Sequence, residues 1–197
     1  IDELVLTSDD EEIISVARSF GVEAPFKRPA ELARDDSLVI DAILYALAWF
    51  SENQGKVFDY VCLLEPTSPF ARADDYDRAI RMAIENDADT VMSVYRCGHD
   101  HPAIMFKLHE NGQAEWYIKD PGMPRMGRRQ DFPPIYVRIG LVYVFKTSLL
   151  QRERTLYGER LYAIEVPRER AITIDTPRDL KIAELLAPEY LHTKDHV

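Results

Sequence analysis

FDYVCLLEPTSPFARADDYDRAIRMAIEND, residues 58–87, is the stretch on which the fold class turns. Phe58 to Leu64 form an apolar run rich in strand formers, and the run stops at Pro66. A run of that length bounded by proline predicts a strand buried on both faces, the kind found in parallel sheets. After Pro69 the text turns polar and periodic, which predicts an amphipathic helix over 73–87 with Tyr76, Ile80 and Ala83 or Ile84 along one side. Residues 66–69, PTSP, are then a rigid corner bearing hydroxyls between a buried strand and the next helix. In open α/β sheets that corner, at the carboxyl end of a strand, is where ligands sit.

Upstream, Leu4 to Leu6 read as a short strand, and Ser8 with Glu11 has the spacing of a capping box opening a helix that places Ile13, Ala17 and Phe20 on one face and ends at Gly21. Val22 to Phe26 suit a second short strand. Asp36 or Ser37 is placed to cap a long helix, LVIDAILYALAWFSENQ, apolar around much of its circumference, with Trp49 and Phe50 in the core and Gly55 as its stop. Downstream, Thr90 to Tyr95 predict another strand, so β and α alternate, which points to a doubly wound, mostly parallel sheet. The pattern then changes. Ile104 to Leu108 and Ala114 to Ile118 flank Asn111-Gly112, a hairpin signal, and a long, basic, proline-rich stretch follows. Gly140 to Phe145 return to buried-strand character. Ala171 to Ile174 predict a last short strand, and Thr176, Pro177 and Asp179 open the final helix.

The chain's 197 residues suffice for one full-sized domain. A formal net charge of −10 excludes nucleic acid or an anionic membrane as the main partner, because binding on that scale needs a basic face. Two cysteines, Cys62 inside a predicted strand, indicate no disulfide framework and fit a reducing cytoplasm. No apolar stretch approaches the ~20 residues needed to cross a bilayer, and no signal peptide is recognisable.

Candidate chemistry gathers at corners. Asp175 stands at the end of a predicted strand, where a bare carboxylate either holds Mg²⁺ with waters and substrate phosphates or caps the helix that follows. Ser8 and Asp9 sit at another strand-to-helix corner, whereas Glu11 and Glu12 are accounted for by the helix dipole. Arg128, Arg129 and Gln130 are either fork donors to a carboxylate or phosphate, or a solvated loop. In CGHDH, residues 97–101, the metal-type side chains are too close together for zinc, and a loop with incidental histidines is the better reading. No dinucleotide fingerprint, phosphate-loop lysine motif, nucleophile elbow or HExxH occurs.

Taken in order, TSDDEEI, RPAELA, LLEPTSPF, His101-Pro102, RRQDFPP, GLVYVF and IDTPRDLKIAE run over nearly the whole chain, and it resembles the acylneuraminate cytidylyltransferases. The resemblance implies a Rossmann-like α/β domain over 1–197, with 103–138 as a hairpin and an arm used in sugar binding and homodimerisation. It implies a reaction in which the anomeric hydroxyl of a nine-carbon keto acid (a nonulosonic acid) attacks the α-phosphorus of CTP and releases pyrophosphate, assisted by Mg²⁺. By the same resemblance Asp175 is the catalytic, metal-binding aspartate. Ser8, Asp9 and Arg28 fall on the nucleotide side, and Glu65, Thr67, Ser68, Arg129 and Gln130 on the sugar side, so PTSP shapes the rim of the sugar pocket.

The sequence departs from the family pattern at several places. Glu65 replaces a glutamine, so a carboxylate faces an anionic substrate unless it is protonated or paired. Thr173 replaces a second metal-binding aspartate, Ala71 an arginine, and Ile139 an asparagine. The family also begins with a strand and a basic, glycine-containing loop, LxARxGSKxxxxKN, that cradles the CTP phosphates. That segment is expected upstream of Ile1, and the 197 residues alone are expected not to turn over CTP. The alternatives are a non-catalytic, nucleotide-binding or dimerising homologue, or a nucleotidyltransferase using another sugar or nucleotide.

Overall fold

The computed structural model describes residues 1–119 and 132–191. The chain divides into two compact units, Ile1–Val61 with Phe145–Glu159, and Cys62–Val144 with the remainder from Arg160.

In the first unit, helix α1 (Glu11–Ser19) is capped by Asp10, whose carboxylate accepts from the backbone N–H groups of Glu12 and Ile13. The expected Ser8–Glu11 box is therefore not formed. The Ser8 hydroxyl accepts from Asp10 N instead, a local turn that leaves capping to the aspartate. The buried face is also rotated from the expected one. Ile14 is buried, whereas Ile13, Val16 and Phe20 are exposed, because apolar residues recur on both sides of this helix and period alone does not choose between them. The two predicted short strands shrink to a single parallel bridge, Val5 to Glu23, with Leu6 N donating to Glu23 O.

Helix α2 (Val39–Gln54) ends as expected at Gly55, whose φ of 65° puts it in the left-handed region that glycine adopts without steric cost. Its start is not capped by Asp36 or Ser37. The Ser37 hydroxyl is engaged with Arg34 N and Glu31 O, and the helix opens at Leu38 without a side-chain cap. Phe26, Trp49, Phe50 and Phe58 pack ring on ring at 5.2–5.5 Å; Phe50 is buried in the core as expected, whereas Trp49 is half-buried. Helix α4 (Thr147–Glu153), not among the expected helices, buries Leu149 and Leu150, and Arg154 beyond it pairs with Asp41.

The strands are β1 (Tyr60–Leu63), β2 (Thr90–Arg96), β5 (Tyr136–Lys146) and β6 (Leu161–Glu165), in sheet order β1–β5–β2–β6 among the described residues. β2 and β6 pair in parallel from Thr90↔Leu161 to Val94↔Glu165, so the mixed α/β architecture with a parallel-containing sheet is the one the alternation predicts. β1 is half-buried along its length, not buried on both faces as expected. β6 was missed. In β5, residues 140–145 are all buried, and in the second unit Val91, Leu141, Val142, Val144, Ile164 and Val166 form the apolar centre.

Helix α3 (Ala73–Glu85) buries Asp75, Ala79 and Ala83, whereas Ile84, the alternative to Ala83 in the expected stripe, is exposed. The cause is Arg170, which grips the Asp75 carboxylate with two guanidinium nitrogens, the longer contact at 3.0 Å, and also donates to Phe70 O. A carboxylate is buried there because a fork of donors meets it. Strands β3 (Phe106–Leu108) and β4 (Ala114–Trp116) form the expected antiparallel hairpin, with Gly112 at φ 83° in its turn. No strand forms over Ala171 to Ile174. The N–H groups of Ala171, Ile172 and Ile174 donate to Arg168 O, Arg170 O and Thr67 O, not to a ladder. Helix α5 (Pro177–Leu191) does open as predicted, with Thr176 and Asp179 bonding reciprocally. No helix among the described residues is long and apolar enough to cross a membrane.

Candidate functional site

Within the first unit the corner before α1 brings Ser8, Asp9 and Arg28 together. Arg28 N donates to Ser8 O at 2.9 Å, and Arg28 Nη2 reaches Asp9 Oδ1 at 3.4 Å, a loose ion pair. Ser8 is buried, and both Arg28 Nε and Thr7 Oγ1 are buried with no hydrogen-bond partner among the described residues. A buried guanidinium N–H without an acceptor costs free energy unless something outside the chain supplies one. This corner can therefore accept an oxyanion or a water.

In the second unit, three segments converge. The PTSP corner follows β1, with Ser68 N donating to Glu65 O at 3.0 Å in a tight turn. Ile174 N donates to Thr67 O at 2.8 Å, which ties the corner to the residue just before Asp175. Gly140, in β5, is the third. Glu65 lies over it so closely that a Cβ at that position would overlap the carboxyl, and Ser68 Oγ is 3.3 Å from the same point. Ser68 is buried and its hydroxyl has no hydrogen-bond partner among the described residues.

Electrostatics distinguish this cluster from an ordinary surface. Burial pushes the Glu65 carboxyl above its usual value of 4.5, the Arg138 guanidinium pulls it back, and the Asp175 carboxylate raises it again. The direction of that shift is toward the neutral form. Asp175 itself is exposed, and the cap of α5 is made by Asp179 and Thr176, so Asp175 is not the helix cap. One exposed carboxylate is a modest donor set, yet Mg²⁺ takes only one or two carboxylates and otherwise waters and phosphate oxygens. Thr173 is half-buried on the same segment. Among the described residues no group of three or more metal-type side chains occurs.

Arg129 and Gln130 lie outside the described residues, as does Arg128. The loop at 97–101 holds its polar groups internally. His101 is buried, its Nδ1 accepts from Ala103 N, its Nε2 bonds Pro133 O, and its ring stacks on Phe132 at 4.9 Å. Two residues of the cluster, Gly140 and Arg138, were not singled out from the sequence. The signal was available in RIG, residues 138–140, because strand alternation puts Arg138 and Gly140 on one face.

No protein-family model matches the chain. The pseudaminic acid cytidylyltransferase of Campylobacter jejuni subsp. jejuni is 31% identical over 186 residues, covering 94% of this chain and 78% of that protein. The chain belongs to the acylneuraminate cytidylyltransferase family. The CMP-N,N'-diacetyllegionaminic acid synthase of Legionella pneumophila is 28% identical over 188 residues, covering 94% and 78%. The N-acylneuraminate cytidylyltransferase of Streptococcus agalactiae serotype V is 25% identical over 177 residues, covering 90% of this chain and 40% of the relative. A solved CMP:2-keto-3-deoxy-manno-octonic acid synthetase, complexed with CTP, superposes with a TM-score of 0.61 at 15% identity, covering 96% of this chain and 82% of that one. That likeness is one of fold, and the fold is Rossmann-like.

Proposed function

We propose that this protein is a cytidylyltransferase that activates a nonulosonic acid, a nine-carbon keto acid of the pseudaminic, legionaminic or sialic class, with CTP, giving the CMP-sugar and pyrophosphate. The observation that carries this reading is the cluster in the second unit, where a half-buried carboxyl and an unpartnered hydroxyl meet on a bare glycine beside an exposed aspartate. Membership of the family supports it.

In this reading Ser8, Asp9 and Arg28 serve the nucleotide in the first unit, with the unpartnered Arg28 Nε as donor to an oxyanion. In the second unit Thr67, Ser68 and Glu65 face the sugar, and Arg129 and Gln130 belong to the same side. Asp175 holds Mg²⁺, which supplies charge neutralisation at the phosphates during attack on the α-phosphorus. The chain's own residues orient the keto acid: the Ser68 hydroxyl and the Glu65 carboxyl bond neutral polar substituents of the sugar, away from its anionic end. Homodimerisation through the 103–138 region is part of the same proposal, and the exposed Phe106, Leu108 and Tyr117 of the hairpin support it.

The test is pyrophosphate release by the full-length gene product with Mg²⁺, each of the four nucleoside triphosphates, and a panel of nine-carbon keto acids plus the eight-carbon 2-keto-3-deoxy-manno-octonic acid. Release that needs both CTP and a nine-carbon acid is the expected result. Release with a different triphosphate, or with the eight-carbon acid alone, overturns the reading, as does folded protein that is silent throughout.

A further inference from the structure

Gly140 lies in the buried half of β5, where a glycine calls for a reason. Backbone freedom is not the reason, since its φ is outside the left-handed region that Gly21, Gly55 and Gly112 occupy. Room is the reason. The atoms that fill the place of its missing side chain are the Glu65 carboxyl and Ser68 Oγ.

The strand is pinned on either side of this point. Ser93 Oγ on β2 donates to Ile139 O at 2.6 Å and accepts from Val142 N at 3.0 Å, which holds the backbone around Gly140 in place. The Glu65 carboxyl, by contrast, is the far end of a flexible side chain. A methyl group added at 140 displaces Glu65 and leaves the fold standing. Around that carboxyl stand Arg138 and Tyr143 of β5 and Asp175 of the loop before α5.

Resting on the functional reading above, we infer that Gly140 is a positioning residue for the sugar: its bare Cα seats the Glu65 carboxyl beside the Ser68 hydroxyl, and that seat selects the keto acid. The ligand chemistry follows from the pair. A carboxyl and a free hydroxyl side by side recognise a neutral hydrogen-bonding substituent, a hydroxyl or an acylamino N–H, not the substrate's carboxylate, which an ionised Glu65 repels. An aliphatic residue at 140 removes the seat without touching the substrate itself.

The experiment compares Gly140→Ala, Glu65→Ala and the double variant in the full-length gene product, with two readouts. Kinetically, Gly140→Ala raises KM for the keto acid by roughly tenfold or more, the scale of one lost hydrogen bond to a charged or strongly polar group. KM for CTP stays put, and in the Glu65→Ala background the same substitution has no further effect. Additive effects, or a KM change for CTP alone, overturn the inference. The second readout is the titration of the Glu65 carboxyl by carbon NMR, assigned by its loss in Glu65→Ala. In Gly140→Ala it moves down toward the ordinary glutamate value, because the carboxyl leaves its buried seat. An unchanged titration overturns the seat. A wild type inactive with every acid sinks the functional reading, while the titration still decides the seat.

Discussion

Two loops that leave neighbouring parts of the same unit, PTSP after β1 and CGHDH after β2, look alike as text, since both are short, polar and placed at the carboxyl end of a strand. They differ in what their polar atoms do. In the second, Asp100 accepts from Gly98 N at 2.7 Å and from Tyr95 Oη at 2.9 Å and pairs with Arg168 at 3.1 Å, while both nitrogens of His101 are engaged. In the first, the buried Ser68 hydroxyl has no partner among the described residues and the Glu65 carboxyl is pushed up by burial. A polar loop whose groups are mutually satisfied is scaffold. One that keeps buried groups unsatisfied is set up for a ligand.

The most damaging way to break this contrast is from beneath. Arg170→Met strands the Asp75 carboxylate, 2% exposed, at the base of the PTSP corner, and unfolding free energy is expected to fall by roughly 3–5 kcal/mol in urea titrations. Burial pushes the Asp75 carboxyl up, but the Arg170 hydrogen bonds override it and hold the group below its usual 3.8. Its contribution is therefore present above the unfolded value and lost as pH falls through the folded one. Asp75→Asn should flatten the acid limb of the stability profile below about pH 4.

A smaller effect is expected in the satisfied loop. His101→Ala removes two hydrogen bonds and a ring stack, costing about 2–3 kcal/mol of stability while leaving the KM for the keto acid of the folded fraction unchanged. A large KM change would erase the contrast between the loops. Ser68→Ala reverses the pattern: stability is expected to move by no more than about 1 kcal/mol, since no internal bond is lost, while KM for the keto acid rises.

The smallest shift, and the sharpest in sign, comes from Glu65→Gln. A carboxyl whose folded pKa is raised has its stabilising contribution intact below the unfolded value and loses it as pH rises through the folded one. The glutamine variant should thus be more stable than wild type at pH 7, by about half a kcal/mol or less given solvent screening of a half-buried group. The gain should vanish below the ordinary glutamate range near 4.5, as thermal melts across pH will show.

Much of the fold was legible because its signals are local. Gly55 ends α2, Asn111-Gly112 turns the hairpin, and Thr176, Pro177 and Asp179 open α5, each through atoms a few residues apart. The corner at residues 66–69 was placed correctly by the same kind of signal. The buried side of α3 was too, with Ala83 buried and Tyr76 and Ile80 half-buried, but that of α1 was not, because apolar residues recur around that helix and the choice depends on what packs against it. Strand β6 and helix α4 went unread. The last predicted strand failed because Ile174 N bonds Thr67 O, a partner far upstream that no window of sequence contains.

What the sequence determined by itself is the order of α and β elements, their caps and turns, and the positions where ligand-facing residues cluster, since these depend on backbone propensities and short-range hydrogen bonds. What only the tertiary structure decided is which residues meet. Arg170 finds Asp75 across 95 positions, and Glu65 comes to rest on Gly140. Such encounters depend on how strands and loops stack in three dimensions, and a glycine needed for the room it leaves is invisible until the side chain that fills the room is in place.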